Sequence, residues 1–367
     1  MENVLYLVST LRRTGPTNQL LYIIKNLDRD KFTPVIITLS PEPSNSLKAE
    51  FIKEKIKVES LNLSRIKGFY NGGVYLKKIV NKYSPIVIHT QGLRADELAV
   101  KNLREYKKIS SIRNYPFEDY PMKYGRVIGK VMAKRHVRAL KRMDIPVTCS
   151  YTLKKIFKEK LNMEMQSIQN GVDINRFYPA TMDEKKKLRE KLEIPLDKKI
   201  FISVGSLIER KSPTIIVEAF SDNANLSNDL LYMLGEGPLQ DKCKEINSEN
   251  VIYPGFVDNI HEYLRAADYF ISASRSEGLP NTVLESLAVG LPVCLSDIDQ
   301  HLEILGENSN SGNTFKTDSL SDLRKKLSNL LENNYENMSK SAVDLVNRNF
   351  NDKNMSHQYQ RLYSSIK

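Results

Sequence analysis

Between Ser274 and Asp297 the chain reads SRSEGLPNTVLESLAVGLPVCLSD, and two carboxylates within it are spaced for chemistry. Glu277 and Gly278 fall in a loop, Pro280 and Asn281 can open a helix, and Gly290 with Pro292 stops it. Glu277 therefore precedes the helix while Glu285 lies one to two turns inside it, so both can address one ligand. The start of such a helix has N–H groups without intrahelical acceptors, which suit phosphate oxygens. Ionised carboxylates accept strong hydrogen bonds from hydroxyls. Together these groups fit a ligand that carries several hydroxyls and a diphosphate. On spacing alone the two acids read equally well as ordinary loop and helix-surface residues.

The elements that must position these residues follow from the hydrophobic pattern. Short β-branched runs alternate with longer helical patterns, as in parallel βαβ units. The first series of predicted strands is Asn3–Thr10, Pro34–Leu39, Lys57–Leu63, Pro85–Thr90, Lys108–Arg113, Pro146–Ser150 and Gln166–Gln169. A second series is predicted at Lys199–Val204, Leu230–Leu234, Val251–Tyr253, Asp268–Ala273 and Leu291–Ser296. A polar stretch, Thr181–Lys198, separates them and reads as a surface helix. In open α/β sheets ligands bind beyond the carboxyl ends of the strands, and the loop carrying Glu277 follows the strand predicted at Asp268–Ala273. The expected architecture is α/β, with two doubly wound domains facing each other across a cleft. Residues 1–175 form the first, 176–348 the second, and 349–367 a closing helix that crosses back to the first.

Composition narrows the class. The 367 residues exceed one ordinary core, and 41% hydrophobic with 27% charged residues is a globular balance. No stretch approaches the roughly 18–20 apolar residues of a membrane span, and the N-terminus reads as a first strand rather than a signal peptide. Cys149, Cys243 and Cys294 are scattered without metal-ligand spacing, which predicts a reduced, cytoplasmic chain. The net charge of +11 is uneven: residues 1–175 hold 32 basic and 16 acidic residues, and 176–367 hold 23 and 28. A basic first half implies an anionic partner, and no nucleic-acid motif accompanies it. Met122–Met143 carries eight Lys/Arg and no acid, with Val127, Val131, Val137 and Leu140 interleaved. It reads as one basic amphipathic helix, either a contact with an anionic membrane surface or a solvated face.

The segment around the two glutamates resembles the signature of the retaining family 4 glycosyltransferases of GT-B fold, E-G-x-P-x-x-x-x-E-x-x-A-x-G-x-P-V. Further segments resemble that family in order: Gln169–Asp173 through Phe177–Pro179, Val204–Leu207 with Lys211, Gly235–Leu239, Pro254–Val257 and the tail Asn347–Ile366. The resemblance implies that Glu285 holds the nucleotide ribose. Glu277 would meet hydroxyls of the donor sugar, with the backbone at Gly278 and Leu279 beside the sugar or diphosphate. Lys211 would neutralise the diphosphate, and the main chain at Phe256 and Val257 would meet the base. Gly15 would form the glycine turn after the first strand, near donor phosphates or acceptor. The sequence departs from the pattern in two places. Ser206 stands where many relatives have an arginine paired with the lysine, and Arg210, several residues out of register, is the substitute at hand. Gln91 replaces one histidine of a His-x-His pair, which leaves His89 as the residue to meet the acceptor, or else a satisfied strand-end histidine.

What the resemblance implies is a retaining transferase that uses a nucleotide sugar, expected to be a UDP-sugar, without an essential metal or other cofactor. A glycan or lipid-linked glycan of a bacterial surface polysaccharide is the expected acceptor, met at the inner face of the plasma membrane. The alternatives are a sugar-nucleotide epimerase of related fold and a catalytically dead homologue that binds anions or nucleic acid. Asp297-Ile298-Asp299 is an Asp-x-Asp like the metal site of the other large glycosyltransferase fold. It lacks that fold's surroundings and reads as a loop with a helix cap.

Overall fold

A computed structural model describes residues 1–63, 65–221, 223–246, 249–306 and 310–366, with residues 65–71 described by their backbone. The chain divides into two compact units, Met1–Gly171 with Asp352–Lys367, and Val172–Asn351.

The first unit runs β1 (Glu2–Val8), α1 (Gly15–Lys25), β2 (Phe32–Thr38), α2 (Lys48–Lys53), β3 (Lys57–Ser60), α3 (Arg65–Tyr83), β4 (Val87–Gln91) and α4 (Leu93–Asn102). It continues with β5 (Lys108–Ile112), α5 (Pro116–Tyr124), α6 (Arg126–Leu140), β6 (Ile145–Thr148), α7 (Tyr151–Leu161) and β7 (Gln166–Ser167). Its seven parallel strands lie in the order β3-β2-β1-β4-β5-β6-β7. The central strands are near-continuous apolar runs, and Val4 to Leu7 of β1 are fully buried, because helices cover both faces of a parallel sheet.

The second unit runs α8 (Met182–Lys191), β8 (Ile200–Val204), α9 (Pro213–Ser221), β9 (Leu230–Leu234), α10 (Gln240–Glu245), β10 (Val251–Gly255), α11 (Ile260–Ala266) and β11 (Tyr269–Ser272). Then come α12 (Asn281–Ala288), β12 (Val293–Ser296), α13 (Asp299–Leu305), β13 (Gly312–Phe315), α14 (Leu320–Glu332) and α15 (Tyr335–Asn349). Its six strands, also parallel, lie in the order β10-β9-β8-β11-β12-β13. In each sheet the winding reverses once, between β1 and β4 and between β8 and β11. A crevice opens at such a switch point beyond the strands' carboxyl ends, and there a doubly wound sheet binds its ligand.

Three features differ from the sequence pattern or complete it. Met122–Met143 is not one helix: Gly125, at φ +80°, ends α5 and starts α6, a backbone state that L side chains rarely adopt. The two helices then pack closely, and Gly129 permits it, since a Cβ there would lie 2.4 Å from the Pro121 backbone. Strand β13 was not anticipated. Its sequence, GNTF, lacks a β-branched apolar run, and it pairs with β12 because Gly312 lets the backbones approach; a Cβ would meet Val293 O at 2.0 Å. Finally α16 (Asp352–Ser365) belongs to the first unit, where it packs on α1. Tyr359 and Tyr363 are fully buried there, Ser356 Oγ donates to Ile23 O at 2.7 Å, and Asp352 meets Lys25 Nζ at 3.2 Å.

Candidate active site

In the second unit the loop after β11 brings Glu277 to the loop after β8. Its Oε1 accepts from Lys211 Nζ at 2.5 Å and Ser274 Oγ at 2.7 Å, and its Oε2 from Arg210 NH1 at 2.8 Å. Arg210 NH1 also donates to Ser276 O, and Arg275 N donates to Arg210 O at 2.8 Å, so the two loops are stitched through the main chain. Burial alone would raise the Glu277 carboxyl. The adjacent charges of Lys211 and Arg210, with their hydrogen bonds, outweigh it and hold the group down at about 2. Two cations against one carboxylate leave this cluster with a net positive charge at the β8/β11 switch point.

The glycines of the neighbouring loops have a steric reason. A Cβ at Gly235 would lie 2.1 Å from Gly205 O, and one at Gly237 would lie 2.4 Å from Leu207 O. The loops after β8 and β9 thus pack backbone on backbone, closed by Gly205 N to Leu234 O and Leu207 N to Glu236 O. Ser206 is exposed on this turn. Its side chain takes no part in the charged cluster; Arg210 supplies the second cation despite its displaced register.

Gly278 and Leu279 are buried at the entry to α12, and Glu285 lies inside that helix at 7% exposure. Burial pushes the Glu285 carboxyl up to about 7, against a lowering effect of the Arg176 charge. Phe256 is exposed, its N–H directed at Glu236 Oε1 at 3.4 Å, and Val257 is half-buried. One residue here was missed. His301 on α13 is fully buried, with Nδ1 bonded to Ser296 O at 2.9 Å and Nε2 without a partner. Burial pushes it down to about 4, and the charges of Glu277 and Lys211 act on it. Its position just after Asp297-Ile298-Asp299 was the available signal. In that motif Asp297 is engaged by Thr317 N at 2.7 Å and Thr317 Oγ1 at 2.6 Å, while Asp299 opens α13. No cluster of metal ligands occurs among the described residues.

The first unit has its own cavity, of about 260 Å³, at the β1/β4 switch point. Its wall includes Ser9 and Thr10 after β1, Gln91 and Gly92 after β4, and Arg113 and Asn114 after β5. His89, expected to meet the acceptor, does not line it. The ring is fully buried, with Nδ1 2.8 Å from Tyr363 Oη and Nε2 2.7 Å from Ser111 Oγ, and it stacks on Tyr359. Burial, aided by the charge of Arg113, pushes it down to about 3. A neutral, doubly bonded histidine under α16 is a core residue. Gln91, two residues on and so on the same face of the strand, reaches the cavity instead. Gly15 is also placed differently. It is the first residue of α1 and has no left-handed backbone, so the helix start rather than a glycine turn borders this space.

With this geometry in view, the likeness to known proteins is specific in the second unit. The family described as glycosyl transferases group 1 matches residues 184–348, the stretch that contains Lys211, Glu277 and Glu285. The O-antigen biosynthesis glycosyltransferase WclY of Escherichia coli is 25% identical over 315 residues, covering 83% of this chain and 82% of its own. An N-acetylgalactosaminyltransferase of Campylobacter jejuni, named for a diphospho-undecaprenol-linked acceptor, is 31% identical over 187 residues, 48% of each chain. The chain spans 44–57% of the length of several other relatives. Among solved structures, HepE of Anabaena in complex with UDP superposes over all of both chains with a TM-score of 0.80 at 16% identity, a likeness of fold. Residues 184–348 thus match the glycosyl transferases group 1, and the chain's two Rossmann-like units have the GT-B fold.

Proposed function

We propose that this chain is a retaining glycosyltransferase of family 4 that moves a sugar from a UDP-sugar to a glycan or lipid-linked glycan during synthesis of a bacterial surface polysaccharide. The observation that carries the reading is the Lys211–Glu277–Arg210 cluster at the β8/β11 switch point, followed by a helix with a buried second glutamate. Ribose hydroxyls would donate to Glu285 and donor-sugar hydroxyls to Glu277. The base would lie against the main chain of Phe256 and Val257, with Ser206 on the turn beside the diphosphate. Two relatives named for O-antigen and for a diphospho-undecaprenol acceptor support the acceptor class, and the UDP complex of HepE supports the nucleotide.

The chemistry follows from charge. As the anomeric bond opens, negative charge grows on the leaving diphosphate and the sugar becomes oxocarbenium-like. Cations already fixed in place stabilise that state without reorganising. Lys211, Arg210 and the amides entering α12 at Gly278 and Leu279 are the groups at hand. A leaving phosphate oxygen can take the proton of the acceptor hydroxyl, which accounts for retention without a protein base. The positive charge comes from side chains, so the reaction is expected to need no metal. Incubating the protein with a panel of UDP-sugars and lipid diphosphate acceptors, with and without a chelator, tests this. Product with the anomeric configuration of the donor, undiminished by chelator, is expected. Inverted product refutes retention, and activity abolished by chelator and restored by manganese refutes the metal-free reading.

The acceptor side would work at an anionic membrane surface on its cytoplasmic face. No described helix is long and apolar enough to cross a membrane. On α6, however, Val127, Ile128 and Val131 are exposed among Arg126, Lys130, Lys134 and Arg138, a composition that suits an interfacial contact.

A further inference from the structure

Glu277 stands in the loop between β11 and α12, so the donors around its carboxylate, rather than a helix or strand, fix where it points. An ionised carboxylate has about two acceptor positions on each oxygen. On Oε1 both are taken, by Lys211 Nζ and Ser274 Oγ, and on Oε2 Arg210 NH1 takes one. One position on Oε2 is therefore open among the described residues, and a sugar hydroxyl would donate there. The three donors differ in freedom. Lys211 and Arg210 must also face the diphosphate, and their side chains are 20% and 22% exposed. Ser274 is fully buried, and its hydroxyl has this carboxylate as its acceptor.

What holds Ser274 in turn is a chain of hydrogen bonds that leads to α13. Ser296 Oγ, at the end of β12, donates to Ser274 O at 2.6 Å. His301 Nδ1 lies 2.9 Å from Ser296 O and 3.1 Å from Ser296 Oγ. A carbonyl oxygen only accepts, and the Ser296 hydroxyl hydrogen is already directed at Ser274. Nδ1 therefore carries the imidazole proton and serves both Ser296 oxygens. Ser274, Ser296 and His301 are all fully buried. Away from water such bonds are stronger and better fixed than exposed ones, so the loops after β11 and β12 and the helix α13 hold one another in register. Burial also keeps the ring neutral, which preserves this tautomer.

We propose that His301 is a positioning residue for Glu277, acting through Ser296 and Ser274. The imidazole N–H fixes Ser296, and the Ser296 hydroxyl fixes the Ser274 main chain. Ser274 then keeps Oε1 engaged, and the open position on Oε2 is left to the donor sugar. The proposal rests on the glycosyl-transfer reading and deepens it, since it assigns a task to a histidine that is itself out of reach of any ligand. The task needs an N–H at the place of Nδ1. An asparagine amide can supply that hydrogen bond, and a leucine of similar size cannot.

Two measurements on the full chain test this: calorimetric titration with UDP, and the rate of UDP release from UDP-glucose, UDP-galactose and their two N-acetylhexosamine counterparts. Ser274→Ala, which loses a hydrogen bond to a charged group, should slow release about tenfold or more. Ser296→Ala and His301→Leu, acting at one remove, should slow it about three- to tenfold. All three should keep UDP affinity within about twofold of the parent, because the sugar contact and not the nucleotide is disturbed. His301→Asn should recover most of the rate. The double variant Ser274→Ala/His301→Leu should be no slower than Ser274→Ala alone, since members of one chain do not act independently. If His301→Leu does not fold, Ser296→Ala takes its place in the double variant. Three results overturn the proposal: Ser296→Ala and His301→Leu release UDP at the parent rate, their losses multiply with that of Ser274→Ala, or UDP affinity falls in step with the rate. A parent that binds no UDP, or releases it from none of the four donors, would instead sink the donor reading and this proposal with it, so the two failures are distinct.

Discussion

Glu277 and Glu285 are both buried acids, yet their surroundings drive them in opposite directions, and their substitutions should separate accordingly. If Glu285 holds the ribose, Glu285→Ala should weaken UDP and UDP-sugar alike, by roughly ten- to hundredfold for lost charge-assisted hydrogen bonds. Glu277→Ala should leave UDP affinity nearly unchanged and lower turnover, since its sugar contact matters most as the anomeric bond opens. Titration of both variants with UDP decides this; an equal loss refutes the assignment. The pH dependence has a definite sign. Burial raises Glu285 from 4.5 to about 7, so its contribution to folding is complete below pH 4.5 and is lost as pH rises through 7. Glu285→Gln, which copies the neutral acid, should therefore gain thermal stability over the parent at pH 8 and little at pH 4.5. UDP affinity of the parent should rise between pH 6 and 8 as the carboxylate ionises, and that of the glutamine variant should stay flat. A parent affinity flat across that range would contradict the ribose role.

At the scale of elements, the break at Gly125 changes what the basic segment can do. A single helix over Met122–Met143 would have spread its charges along one rod, but α5 and α6 instead form a tight pair. Val137 and Leu140 of α6 turn to the core, while Val127, Ile128 and Val131 remain outside. If that exposed face meets a membrane, binding to anionic vesicles should exceed binding to neutral ones and weaken with salt. Reversing Lys134, Arg135 and Arg138 to glutamate should reduce it without altering the melting temperature by more than a few degrees. Arg135 pairs with Glu97 at 2.6 Å, but at about half exposure such a pair contributes little. Equal vesicle sedimentation of parent and reversed protein would exclude the contact.

At the scale of the molecule, the last helix closes the first unit although it follows the second in sequence. Tyr6, His89, Tyr359 and Tyr363 form one buried aromatic cluster, bonded through Tyr363 Oη to His89 and through Tyr359 Oη to Ser111. A chain ending at Asn351 would open that core and leave His89 and Ser111 without their tyrosine partners. The expected outcome is loss of the first unit's cooperative unfolding transition, with UDP binding by the second unit retained. Calorimetry and UDP titration of the shortened chain measure both, and an intact first transition would show that α16 is dispensable.

The sequence by itself determined the strand–helix series, the doubly wound class and the loop-to-helix placement of Glu277 and Glu285. Those properties are local: periodicity marks each element, Pro280 and Gly290 mark the ends of one helix, and both acids lie on one continuous segment. It missed β13, whose four residues carry no pattern and pair only because Gly312 admits a neighbouring backbone. It could not choose for His89 between an acceptor contact and a satisfied strand-end histidine, since the burial of that ring depends on Tyr363, 274 residues away. The same separation explains Arg210. Counted along the chain it stands out of register with Lys211's usual partner, yet it meets Glu277, 67 residues on, because two loops converge at a switch point. The chain of hydrogen bonds from His301 to Glu277 became visible only in three dimensions. Whether a buried polar atom has a partner depends on which distant elements the fold packs around it, and spacing along the chain does not record that.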